Sequence, residues 1–121
     1  MHLPPTLHRA VPWAWAATAL LAAVLCILTL TPQAPMPPRP SPDKLYHFIG
    51  FGALALPLCW VYPRRAWAVI LGVTAFGGAV EVIQPFVGRG AEWADLLADA
   101  LGAVAAAILA IWLRRVWPKP A

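Results

Sequence analysis

Four long apolar stretches, separated by short polar or proline-rich connections, constrain this chain more than any other feature of its sequence. A helix rises about 1.5 Å per residue, so roughly 20 apolar residues cross a hydrocarbon core about 30 Å thick. The stretches fall at about 11–31, 45–62, 66–86 and 93–113 and predict four transmembrane helices. Of the 121 residues, 61% are hydrophobic and only 12% charged, a balance that a soluble domain of this size cannot bury. The expected fold is therefore all-α, an integral membrane four-helix bundle forming one domain over residues 1–121.

The first stretch, Val11 to Thr31, contains no charged residue and follows Arg9, so it must be weighed against a cleaved secretory signal. Its length favours a retained helix. A cut after Ala34 would also set Pro32 and Pro35 around the cleavage site, where small residues are needed. Cys26 and Cys59 form no CxxC or Cys/His pattern and fall at different expected depths, so they are expected to be apolar packing residues.

Basic residues orient the bundle, since Lys and Arg are retained on the cytoplasmic side. With four crossings, Arg9, Arg64, Arg65, Arg114, Arg115 and Lys119 share one side, while Arg39, Lys44 and Arg89 share the other, six against three. Both termini are thus expected in the cytoplasm. The same residues account for the net charge of +4 through insertion and attraction to anionic lipids, with no nucleic-acid partner. Six prolines between Thr31 and Pro42 predict a stiff, extended outer loop at 32–42.

Ionisable groups inside apolar stretches carry the functional information, because each costs several kcal/mol in a bilayer unless paired, hydrated or neutral. Lys44 and His47, Glu81 and Gln84, and Asp95 and Asp99 are spaced three or four apart, so each pair shares a helix face. All three pairs fall at the same expected depth, near the outer surface, with Arg89 in the connection beside them. Gly77 and Gly102 continue the third- and fourth-helix faces inward as helix-packing positions. The set could act as mutual glue between helices or as a polar site.

The run Asp43-Lys44-Leu45-Tyr46-His47-Phe48, followed by Glu81-Val82-Ile83-Gln84, Gly88-Arg89, Asp95 and Asp99-Ala100-Leu101-Gly102, resembles the VanZ-like family. The resemblance extends from about Asp43 into the fourth helix. It implies a bacterial multi-pass protein of the inner (cytoplasmic) membrane, in a family named after a member associated with resistance to the glycopeptide teicoplanin. It implies no reaction. Asp99 stands where asparagine is also common in the family, and Ala106 where another small residue, often glycine, is expected.

Two classes of function follow. In the first, Lys44 and Arg89 hold an anionic lipid or cell-wall precursor head group, while Glu81, Gln84, Asp95 and Asp99 orient them and accept hydrogen bonds. In the second, His47 or a carboxylate is a general base in a hydrolase or transferase acting on a lipid-linked phosphate or ester. The non-enzymatic class leads, and a lipid-phosphate phosphatase with two histidines is disfavoured because only His47 lies in the right region. His47, Glu81, Asp95 and Asp99 have the chemistry to ligate a divalent cation, but no tight motif such as HExxH is present, and neither metal nor cofactor is expected. Membrane lipid and a lipid-linked precursor are the expected partners.

The topology is directly testable. Reporter fusions after Ala121 and in the Arg64-Arg65 connection should signal from the cytoplasm, and one near Met36 from the outer side. A cytoplasmic signal at Met36 would overturn the four-crossing orientation.

Overall fold

A computed structural model of the chain describes residues 5–32 and 43–117; the expected loop at 32–42 lies almost wholly outside them. Four helices result, α1 (Pro5–Leu30), α2 (Asp43–Val61), α3 (Ala66–Ile83) and α4 (Trp93–Val116). Short 3-10 turns at Pro63–Arg65 and Gln84–Val87 precede and follow α3. Each helix is long and apolar enough to cross a membrane. α1 begins well before Val11, because proline is tolerated in a first helical turn whose amides have no intrahelical partner.

Large apolar side chains point outward, including Leu20, Ile27, Leu71, Val82 and Ile108. That is the reverse of a soluble bundle and suits a lipid surround, where there is no gain from hiding leucine. Exposed aromatics gather at both ends, with Trp13, Trp67, Trp112 and Trp117 toward one and Phe86 and Trp93 toward the other. Interfacial belts of this kind hold a bundle at a fixed depth.

Inside, α2 packs most extensively against α4, and both run in the same direction; α1 lies against α2, and α3 fits against α4 and α2. The seam is built of small residues. Gly102, Ala106 and Ala110 recur every fourth residue of α4 and meet the α2 face of Phe51, Ala55 and Cys59. Cys26 and Cys59 are both free thiols, and Cys59 is fully buried in this core. At Gly102 an added Cβ would collide with the Phe48 carbonyl, and one at Gly52 would lie 3.1 Å from the Gly102 carbonyl.

Pro57, inside α2, removes one amide from the helical ladder and leaves the Ala53 carbonyl without its usual donor. Thr18 of α1 donates its hydroxyl to the neighbouring Leu54 carbonyl at 3.4 Å, bringing a polar group from another helix to the break. At the end carrying Arg64, Arg65, Arg114 and Arg115, the Arg114 guanidinium donates to the Trp60 carbonyl at 2.7 Å and lies 5.8 Å from the Trp60 ring. Trp15 donates its indole N–H to the Tyr62 hydroxyl at 3.2 Å. These contacts close the basic end and leave the ionisable residues of α2, α3 and α4 at the other.

Because its neighbour is backbone, which cannot rotate away, Gly102→Ala should lower the stability of the bundle by roughly 1–3 kcal/mol. Gly72→Ala, with nothing within 4 Å of the new Cβ, should leave it unchanged or slightly raised. Thermal unfolding of the purified protein in detergent checks the pair.

Candidate functional site

The first turns of α2 and α4 and the last turn of α3 meet at one end of the bundle. His47 stands one turn inside α2, where its ring stacks parallel to Phe51, with centroids 5.8 Å apart and planes inclined by 4°. Its Nδ1 lies 2.8 Å from Asp99 Oδ1, and its Nε2 lies 3.6 Å from Asp95 Oδ2. Asp95 and Asp99 are one helical turn apart on α4, so the imidazole fits between two carboxylates. Asp99 is 0% exposed.

Lys44, one turn before His47, forms an ion pair with Glu92 and lies 3.4 Å from Asp95 Oδ1. Glu92 immediately precedes α4, and its backbone amide donates to Glu81 Oε2 at 2.8 Å. That bond ties the end of α3 to the start of α4. Gly77 lies one turn before Glu81 on α3, and a Cβ there would collide with Asp99 Oδ2. The missing side chain is what allows a fourth-helix carboxylate to lie against the third helix.

Gln84 and Arg89 serve a different neighbour. Gln84 donates through Nε2 to the Thr29 carbonyl at 3.2 Å, and Arg89 donates through Nη1 to the Leu28 carbonyl at 2.7 Å. Both carbonyls belong to the C-terminal turn of α1, whose last carbonyls have no intrahelical donor. Arg89 is positioned by the preceding turn, where Gly88 adopts φ 77° and the Arg89 amide donates to the Gln84 carbonyl at 3.0 Å. Lys44 pairs instead with Glu92 and Asp95, so the two cations grouped by the sequence are held by different helices. Gly102 packs against α2 rather than α3.

Sequence reasoning passed over Glu92, which contacts both Lys44 and the Glu81 carboxylate. Its signal was its place just ahead of α4, three residues before Asp95. The site it helps form is rich in acid: Glu81, Glu92, Asp95 and Asp99 face Lys44 and His47. Among the described residues, Glu81 Oε1, Gln84 Oε1 and Asp99 Oδ2 are buried without a partner, and Asp95 Oδ1 has only the Lys44 ammonium at 3.4 Å. His47, Glu81 and Asp99 each place a potential ligand atom within 4.8 Å of the others. An apolar cavity of about 520 Å³ lies elsewhere, toward the basic end between α1, α2 and α3, where Trp15, Leu54, Tyr62 and Val73 contribute to its wall.

Four apolar helices with buried ionisable groups gathered at one end define a multi-pass helical membrane protein with an intramembrane polar site. The sequence profile of one family, VanZ/LLP1, matches residues 16–114, from within α1 nearly to the end of α4. The chain belongs to the VanZ/LLP1 family. No curated protein and no solved structure matches it.

The ion pairs differ in burial, and substitutions should separate them. Asp99→Ala leaves the His47 Nδ1 without its partner in a dry setting and should cost roughly 1–3 kcal/mol of stability. Lys44→Met, at a half-exposed pair, should produce no measurable loss. Equal melting temperatures for Asp99→Ala and wild type would contradict this reading of the cluster.

Proposed function

We propose that this VanZ-type protein acts in the bacterial cytoplasmic membrane by binding the head group of an envelope lipid or lipid-linked cell-wall precursor at the polar end of its bundle. Three buried oxygens without partners, Glu81 Oε1, Gln84 Oε1 and Asp99 Oδ2, carry the proposal, since unsatisfied acceptors at membrane depth are costly and call for donors from outside the chain. Hydroxyl or amine groups of a sugar or amino-acid head group would supply them. An anionic moiety would sit at the rim, within reach of Lys44 and Arg89. Arg89 uses Nη1 on the Leu28 carbonyl and keeps further N–H donors for a phosphate or carboxylate.

A protein that holds a cell-wall precursor in this way would alter susceptibility to glycopeptides, which act on the same precursors. A second reading, hydrolysis or transfer on a lipid-linked phosphate or ester, draws on the 2.8 Å contact between His47 and Asp99. A carboxylate at Nδ1 orients an imidazole so that Nε2 can take a proton.

Lipid mass spectrometry on protein purified with its native lipids tests the proposal. Wild type should retain a specific envelope lipid or precursor, and Arg89→Lys and Asp95→Asn, at equal folded abundance, should each retain roughly tenfold less. Identical lipid profiles for wild type and both variants would overturn it and leave the cluster as helix glue. Turnover of the retained lipid by wild type alone would favour the enzymatic reading.

A further inference from the structure

Glu81 and Asp99 pose a problem that the rest of the cluster does not solve. Among the described residues neither carboxylate forms an ion pair with a Lys or Arg, because Lys44 is engaged by Glu92 and Asp95 and Arg89 by the end of α1. Glu81 is 7% exposed and Asp99 0%. Glu81 uses Oε2 for the Glu92 amide and Asp99 uses Oδ1 for His47, while Glu81 Oε1 and Asp99 Oδ2 remain without partners. Two carboxylates at membrane depth with unused lone pairs carry a charge that calls for compensation.

We propose that His47, Glu81 and Asp99 form a binding site for one divalent cation of the Mn²⁺ or Zn²⁺ type. The three side chains come from α2, α3 and α4, and their ligand atoms lie within 4.8 Å of one another. Metal–ligand bonds of about 2.0–2.4 Å on opposite sides of an ion span nearly that distance. A neutral imidazole and two carboxylates carry a charge of minus two, which one divalent ion cancels. An imidazole beside carboxylates favours Mn²⁺ or Zn²⁺ over Mg²⁺, which prefers an all-oxygen, partly hydrated shell.

Surrounding contacts prepare the ligands as metal sites require. Nδ1, the ring nitrogen beside Asp99, faces the ion, while Nε2–H is turned toward Asp95 Oδ2 at 3.6 Å, and the parallel Phe51 ring limits swivelling of the imidazole. Gly77 leaves the space that Asp99 Oδ2 occupies against α3, one turn from Glu81. Three helices would then be joined at one point, in addition to whatever head group binds there.

The test uses the full-length, untagged protein in detergent, stripped of lipid, with metal content measured by mass spectrometry. Wild type from metal-replete cells should carry about one ion per chain, lose it and melting temperature to a chelator, and regain both with Zn²⁺ or Mn²⁺ alone. His47→Gln, Glu81→Gln and Asp99→Asn should each weaken binding tenfold or more. The double variant His2→Ala/His8→Ala should keep it.

Wild type that neither holds nor takes up either ion overturns the proposal, and so does binding unchanged in all three ligand variants. Should those variants fail to fold, the reversible chelation of wild type decides. The ion would take two of the acceptors on which the head-group proposal rests, Glu81 Oε1 and Asp99 Oδ2, and the two readouts separate them: lipid retained without metal removes only the cation site, and metal without retained lipid removes only the head group.

Discussion

At Gly102 a side chain of even one carbon would strike the Phe48 carbonyl, and that contact sets how closely α2 and α4 lie together. Apolar side chains gain nothing by leaving lipid for one another, so close backbone approach and dispersion must replace the hydrophobic effect as the source of helix association. The polar end inherits its geometry from this seam. His47 precedes Phe48, and Asp99 lies three residues before Gly102, so the approach that brings Phe48 to Gly102 also brings the imidazole to the carboxylate. A wider seam would leave a fully buried Asp99 facing lipid tails.

Much of this was legible in the sequence because lipid imposes simple demands. Four apolar stretches gave four helices, with α1 and α4 somewhat longer than expected, since hydropathy marks the span and not the capping turns beyond it. The spacing of Lys44 and His47, and of Asp95 and Asp99, placed each pair on one face, and the structure brings those faces together. Partnering was harder to see. Gln84 and Arg89 were grouped with the carboxylates, yet both reach the α1 carbonyls, because spacing along α3 says nothing about where a neighbouring helix ends. Glu92 was passed over for a related reason: it lies outside the helical repeat, and its contacts depend on how the connection folds.

Acidic groups outnumber basic ones at the polar end, which changes the kind of ligand that suits it. Glu81, Glu92, Asp95 and Asp99 face one lysine and one histidine, so an anionic head group alone would meet net repulsion in the interior of the cluster. Hydrogen-bond donors or a cation meet no such barrier. The sequence pointed to Lys44 and Arg89 as a joint cradle for an anion; in the structure Lys44 pairs with Glu92 and Asp95, Arg89 donates to the end of α1, and acceptors lie between the helices. A bipartite ligand, anionic at one end and rich in donors at the other, suits that division, and a divalent ion at the centre would let an anion approach further.

α1 gains a role that its plain hydropathy conceals. It is the least buried of the four helices and carries none of the paired ionisable residues. Yet its last turn offers the Leu28 and Thr29 carbonyls to Arg89 and Gln84, and a helix C-terminus attracts cations and donors through its partial negative charge. The helix therefore holds the turn after α3 from outside, and Gln84 and Glu81 share one face of the chain entering that turn. Pulling α1 away would free Arg89 and Gln84 together, while the contacts of His47 with Asp95 and Asp99 involve only α2 and α4. A ligand that competes for the Arg89 guanidinium would thus remove one of the bonds that hold α1 to the turn and leave the contacts of His47 with Asp95 and Asp99 in place.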